Sequence, residues 1–146
     1  AILALFKEKK VNLDSLTVCV IPRAKAQNQY STDQLLFKET VRDVVNELPK
    51  FYNGIDFIKR HSNTKTTHLQ RAIDAGKLTS YDNSGSMPYE GITNDTCNFS
   101  DKIRGKNILL IDDIYTKSIN IDEDAIQALL DKGAKNVIFY AVAKTI

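Results

Sequence analysis

Asn107-Ile108-Leu109-Leu110-Ile111-Asp112-Asp113-Ile114-Tyr115-Thr116-Lys117-Ser118-Ile119-Asn120 is an apolar run that ends on two adjacent carboxylates and enters a short polar loop ahead of a helix. The short, continuous apolar stretch reads as a strand buried on both faces, the texture of a parallel sheet. A carboxylate is costly to desolvate unless it is paired or hydrogen-bonded, so packing gives no reason for Asp112 and Asp113 at the mouth of such a strand. A polyhydroxylated or cationic ligand at the carboxyl edge of a parallel sheet does give one.

The flanking sequence extends this pattern. Arg104-Gly105-Lys106 turns into the strand, residues 121–132 keep helical spacing up to Gly133, and residues 136–143 form another buried strand. Upstream, Leu16-Thr17-Val18-Cys19-Val20-Ile21 is a buried strand stopped by Pro22, and residues 23–30 are a polar loop. Thr32, with Asp33 behind it, starts a helix whose apolar positions (Leu35, Leu36, Val41, Val44, Val45, Leu48) run to Pro49. Residues 55–58 are the second strand candidate, and residues 2–9 the last turns of a helix. Strands alternating with helices predict an α/β, Rossmann-like fold in one domain, residues 1–146, with a central, mostly parallel sheet flanked by helices. Residues 61–100 break the pattern: apolar side chains thin out and only residues 67–78 suit a helix, so the stretch reads as a long functional or disordered loop.

Composition narrows the function classes. The 146 residues are 42% hydrophobic and 26% charged with a formal charge of +2, too small to indicate nucleic acid or an anionic membrane as partner. No run reaches transmembrane length and no leader pattern is present, which is the expectation for a soluble, cytoplasmic protein. Cys19 and Cys97 suggest neither a disulfide framework nor a zinc site, and fit a reducing cytoplasm. The sequons at Asn94 and Asn98 are chance matches on that reading, and His61 and His68 are solvated loop residues with no second ligand at metal spacing. Ala1 at the start and Met87 as the sole methionine suggest a sequence without its natural beginning.

A P-loop NTPase would need a Gly-x-x-x-x-Gly-Lys-[Ser/Thr] loop, and none occurs. A receiver domain would carry its acidic pair after the first strand, and too little chain follows Asp113 for that fold. Ile108-Leu109-Leu110-Ile111-Asp112-Asp113-Ile114-Tyr115-Thr116 instead resembles the signature of type I phosphoribosyltransferases: four apolar residues, two acids, two apolar residues and a Thr-rich phosphate loop. Within that superfamily the chain is most similar to the competence-protein ComF, amidophosphoribosyltransferase-like group. Arg60, Thr64, Lys65, Thr67, Gln70 and Arg71 resemble that group's pattern after the second strand, and Leu129-Leu130-Asp131-Lys132-Gly133-Ala134-Lys135-Asn136-Val137 its closing helix, turn and strand.

The resemblance, spanning roughly residues 16–144, implies a substrate and a site. Asp112 and Asp113 would bind the ribose hydroxyls of phosphoribosyl pyrophosphate (PRPP), and Thr116, Lys117, Ser118, Ile119 and Asn120 would hold its 5-phosphate. Arg23, Ala24, Lys25 and Arg60 would face the pyrophosphate, and Lys65 and Arg71 would lie on a flexible flap, residues 61–100, that excludes water. Mg²⁺ would be carried mainly by PRPP, with Asp112 and Asp113 as candidate ligands, and a nitrogen nucleophile of unidentified structure would displace pyrophosphate. A homodimer is the family's usual state.

The loop departs from the family's Thr-Thr-Gly-x-Thr or Asp-Thr-Gly-x-Thr pattern. Its glycine is replaced by Ser118, and the Asp that serves purine-salvage members as general base is Thr116. A helix N-cap role is an equal reading of Ser118 or Asn120, Tyr115 is either a core aromatic or a lid over the ribose, and Arg23 and Lys25 are either pyrophosphate ligands or loop-solvating charges. The altered loop leaves open a non-catalytic PRPP or nucleotide sensor, or a partner-binding domain.

Overall fold

β1 (Leu16–Val20) is buried at every position because it has a strand on each side and an apolar cluster on each face. The computed structural model describes residues 15–64, 76, 91–116 and 120–145. β1 pairs in parallel with β2 (Phe51–Asn53) and with β5 (Asn107–Tyr115), and β5 pairs in parallel with β6 (Asn136–Lys144). The result is a four-stranded, all-parallel sheet in the order β2-β1-β5-β6.

The two-residue period of a strand sorts the core. Leu16, Val18 and Val20 join Leu109 and Ile111 on one face, against Val45 of α1 (Leu36–Glu47). Cys19 and Ile21 join Ile108 and Leu110 on the other, against Ala125 and Leu129 of α2 (Ile121–Asp131). The chain leaves β1 through α1 toward one edge and leaves β5 through α2 toward the other. Parallel crossovers share one hand, so opposite directions put the two helices on opposite faces and make the β1–β5 boundary the switch point of the sheet. This is the layering of a Rossmann-like α/β fold. A separate antiparallel ribbon, β3 (Ile58–Arg60) with β4 (Cys97–Phe99), packs on the α2 side through Ile58 and Cys97.

Several expected boundaries move. The second parallel strand is Phe51–Asn53, while residues 55–57 are a turn leading into the ribbon. Gly54 makes that turn possible, since a Cβ there would meet the Thr17 side chain at 2.6 Å. α1 begins at Leu36 after a 3-10 turn over Asp33–Leu35, and Thr32 makes no capping hydrogen bond. β6, expected to be buried, is an edge strand of half-buried and exposed residues. α2 ends as expected: Gly133, at φ +98°, donates to Leu130 O, and Ala134 donates to Leu129 O, a Schellman closure. The expected helices over residues 2–9 and 67–78 and most of the long polar stretch lie outside the described residues. Among the described residues no helix is long and apolar enough to cross a membrane.

α1 is fastened to the turn after β2 by charge. Lys38 and Arg42 each approach Asp56 to 2.9 Å. Burial works against the Asp56 carboxylate, but hydrogen bonds from Arg42 and Lys38 outweigh it and hold the group down at about 2. A depressed carboxylate stabilises the fold above its unfolded value and loses that contribution as pH falls through the folded value. The stability advantage of the chain over Asp56→Asn should therefore be full near about pH 5 and shrink toward zero by about pH 2. Urea unfolding of both proteins across that interval checks it, and an advantage that does not change with pH would contradict it.

Candidate functional site

β1 stops pairing at Val20, opposite Ile111, and the Ile21 amide donates to Ile111 O at 3.0 Å. β5 continues to Tyr115 with β6 alone beside it. Asp112 and Asp113 therefore sit inside the strand on the β6 side and at its end only on the β1 side, a refinement of the expected strand terminus. With no β1 amides and carbonyls to meet, the backbone turns to local acceptors: Asp113 N donates to Asp112 Oδ1 at 2.9 Å, and Ile114 N to Asp113 Oδ1 at 2.8 Å. The strand's alternation breaks here. Ile111 O faces β1, so strict alternation would aim Tyr115 O the same way and its ring toward α1. Instead Tyr115 O accepts from Thr145 N at 2.9 Å, and the ring meets Phe139 edge-on at 6.0 Å, on the α2 side.

The two acids have different surroundings. Asp113 is exposed. Asp112 lies against Asp122, from the first turn of α2, and Asp122 is 3% exposed. Two carboxyls in contact must share a proton. Burial, then the charges of Asp122 and Asp113, push Asp112 up to about 9, and burial raises Asp122 as well. Asp122 Oδ1 has no hydrogen-bond partner among the described residues.

Across the switch point the β1 loop is laced to the segment after β3. Ala24 O accepts from Thr64 N at 2.7 Å and from Thr64 Oγ1 at 3.0 Å. Lys25 Nζ donates to Thr64 O at 2.9 Å, and burial lowers its pKa. Arg23 is exposed, donating to Gln34 O at 3.2 Å with its guanidinium 5.1 Å from the centre of the Tyr30 ring.

Arg60, expected to follow the second strand and face the pyrophosphate, is 6% exposed and lies within β3. Its Nε donates to Arg23 O at 2.7 Å and its Nη2 to Gly91 O at 3.2 Å, so it ties the β1 loop to the segment entering β4. Nη1 is buried with no partner among the described residues. Burial lowers the Arg60 pKa, and no carboxylate among the described residues forms a salt bridge with it. Gly91, at φ +51°, fits this corner because a Cβ would collide with the Asp124 carboxylate of α2.

The topology thus brings Arg23, Ala24, Lys25 and Arg60 together at one loop and sets that loop beside the β5 end that carries Asp112 and Asp113. Thr116 is half-buried. Asn120 takes the N-cap position of α2 without a side-chain capping bond. Lys117, Ser118 and Ile119 of the expected phosphate loop, Lys65 and Arg71 of the expected flap, and His68 lie outside the described residues. His61 is exposed, with Nδ1 2.9 Å from Ser62 Oγ, in keeping with a solvated loop residue. Tyr115 is half-buried, its hydroxyl donating to Glu123 Oε1 at 2.8 Å, a packed aromatic beside α2. Among the described residues no three His, Cys, Asp or Glu side chains converge as metal ligands.

Sequence reasoning missed Asp122. The run Asp122-Glu123-Asp124 was its only signal, and it reads equally as first-turn acids complementing the helix dipole. The role of Thr64 was also hidden, since its partners lie some forty residues away in the chain.

The chain matches no protein-family model, curated protein or solved structure.

A buried carboxyl pair that keeps a proton in the folded state loses stability as pH climbs from the unfolded carboxylate range toward about 9. Replacing one member by an amide removes the charge conflict, so Asp112→Asn should be more stable than the natural chain at about pH 8, by about 1–3 kcal/mol, and gain less at about pH 5. Denaturant midpoints at the two pH values test this. A variant less stable at both would contradict the shared-proton arrangement.

Proposed function

We propose that the chain is a phosphoribosyltransferase-like protein that binds PRPP at the β1–β5 switch point and transfers its phosphoribosyl group to a nitrogen nucleophile, releasing pyrophosphate. The observation that carries this reading is the buried Arg60 guanidinium, with an Nη1 lacking any partner and no carboxylate paired to it among the described residues, held under the β1 loop beside the acidic end of β5. An uncompensated buried cation suits an anionic ligand above it. The edge of the sheet then carries complementary halves: Arg60, Lys25 and Arg23 on the side of the pyrophosphate, Asp113 on the side of the ribose.

In this reading Asp113 accepts hydrogen bonds from the ribose hydroxyls and favours the positive charge that builds on the sugar as pyrophosphate departs. Arg60 fixes the β1 loop so that its backbone and Lys25 meet the leaving group without reorganising. The backbone amides at the amino end of α2, ahead of which Asn120 makes no side-chain cap, suit the 5-phosphate. The type I phosphoribosyltransferase fold and a covering flap belong to the same proposal.

The donor set fits Mg²⁺ that arrives with its substrate. Asp113 is the one open carboxylate that would hold such an ion, whose remaining oxygens would come from the substrate's phosphates and water. When bound it would neutralise charge on the departing pyrophosphate.

A second reading, a PRPP or nucleotide sensor without turnover, draws on one observation: Asp112 is engaged with Asp122 rather than open to a ligand.

Calorimetric titration of Mg²⁺–PRPP into the chain separates these outcomes from failure. Saturable binding should weaken by about tenfold or more in Asp113→Asn. Pyrophosphate release with ammonia or amine acceptors would establish the transferase, and binding without release the sensor. The absence of any binding would overturn both.

A further inference from the structure

A cleft of about 490 Å³ lies between α2 and the carboxyl half of β6. That volume suits a small organic molecule. Phe139, Tyr115, Ile126 and Ala141 supply apolar walls, and the edge-on contact of Tyr115 with Phe139 makes one wall aromatic. Asp122 and Glu123 line the cleft from the first turn of α2.

Two features bear on what this open cleft can hold. Asp122 is 3% exposed and its Oδ1 has no donor among the described residues. A buried acceptor left unsatisfied is costly, and a ligand N–H would relieve that cost. Charge also points one way. Asp122 already faces Asp112, Asp113 and Glu123, while Lys144, the cation that lines the cleft, sits with its Nζ 6.0 Å from the centre of the Tyr115 ring. An anion entering here would meet the Asp122 carboxylate, which forms no salt bridge among the described residues; a cationic nitrogen would make a charge-assisted bond.

We propose that the cleft between α2 and β6 is a binding site for a small organic cation, a flat apolar body with one amine or amidinium nitrogen. The body lies against Phe139, Ile126 and Ala141, and the nitrogen reaches Asp122. The cleft adjoins the proposed PRPP site through Asp122, which touches Asp112, but its apolar walls belong to neither the β1 loop nor the expected 5-phosphate loop, so it is tested with probes that carry no phosphate.

Benzamidine, benzyl alcohol and benzoate, titrated into the ¹⁵N-labelled intact chain, test the proposal by amide shifts. Benzamidine should shift Tyr115, Glu123, Phe139 and Ala141 saturably, and the other two should not. Asp122→Asn should weaken benzamidine by about tenfold or more. Ala143→Trp, which fills the cleft from an exposed position, should abolish the shifts while leaving the rest of the spectrum in place. Benzoate moving the same amides as benzamidine, no benzamidine response up to about 10 mM, or an unchanged titration in Ala143→Trp would each overturn it.

Discussion

Where β1 gives out at Val20 and β5 runs on to Tyr115, the sheet loses a strand on one side and the chain must satisfy its backbone and two carboxylates with what remains. Asp112 and Asp113 serve first as acceptors for the amides that follow them. Asp112 is then left facing Asp122 across the start of α2, and the contact holds only if the two carboxyls share a proton. A fold selected for stability alone would replace such a pair with apolar side chains, since like charges brought into a protein interior cost more than they return. Its presence at a switch point, where parallel sheets bind ligands, argues that the cost is tolerated for what the edge does.

The rest of the molecule holds that edge still. Two apolar clusters clamp β1 and β5 from opposite faces, so the strand ends cannot shift without opening a close-packed core. The β1 loop would otherwise be a free polar segment. It is instead bonded through the Arg23 and Ala24 carbonyls to Arg60 and Thr64, and Arg60 reaches on to Gly91, whose positive φ and lack of a Cβ let that segment lie against Asp124 of α2. Loop, ribbon and helix start are thereby joined through a single buried guanidinium.

Local pattern made much of this readable. Continuous apolar runs with stops at Pro22, Pro49 and Gly133 located β1, α1, β5, α2 and β6 within a few residues, because burial on both faces and chain termination are written in neighbouring side chains. β2 was misplaced because Phe51-Tyr52-Asn53 is a short edge strand with Tyr52 and Asn53 exposed, whereas the more apolar Ile55 is a core residue of the following turn. β6 read as buried because its sequence is apolar; that no strand among the described residues covers its outer side is a property of topology. The same holds for Asp122 and Arg60. Each is an ordinary charged residue in sequence, and its partner is chosen by a fold that joins segments far apart in the chain.

The carboxyl carbon shifts of Asp112 and Asp122, followed by NMR from about pH 3 to about pH 10, test the central arrangement most directly. The account predicts that the Asp112–Asp122 pair releases its last proton only well above the ordinary carboxylate range, because burial and the mutual charge of the two groups disfavour the doubly ionised state. Two independent titrations near about pH 4 would contradict it.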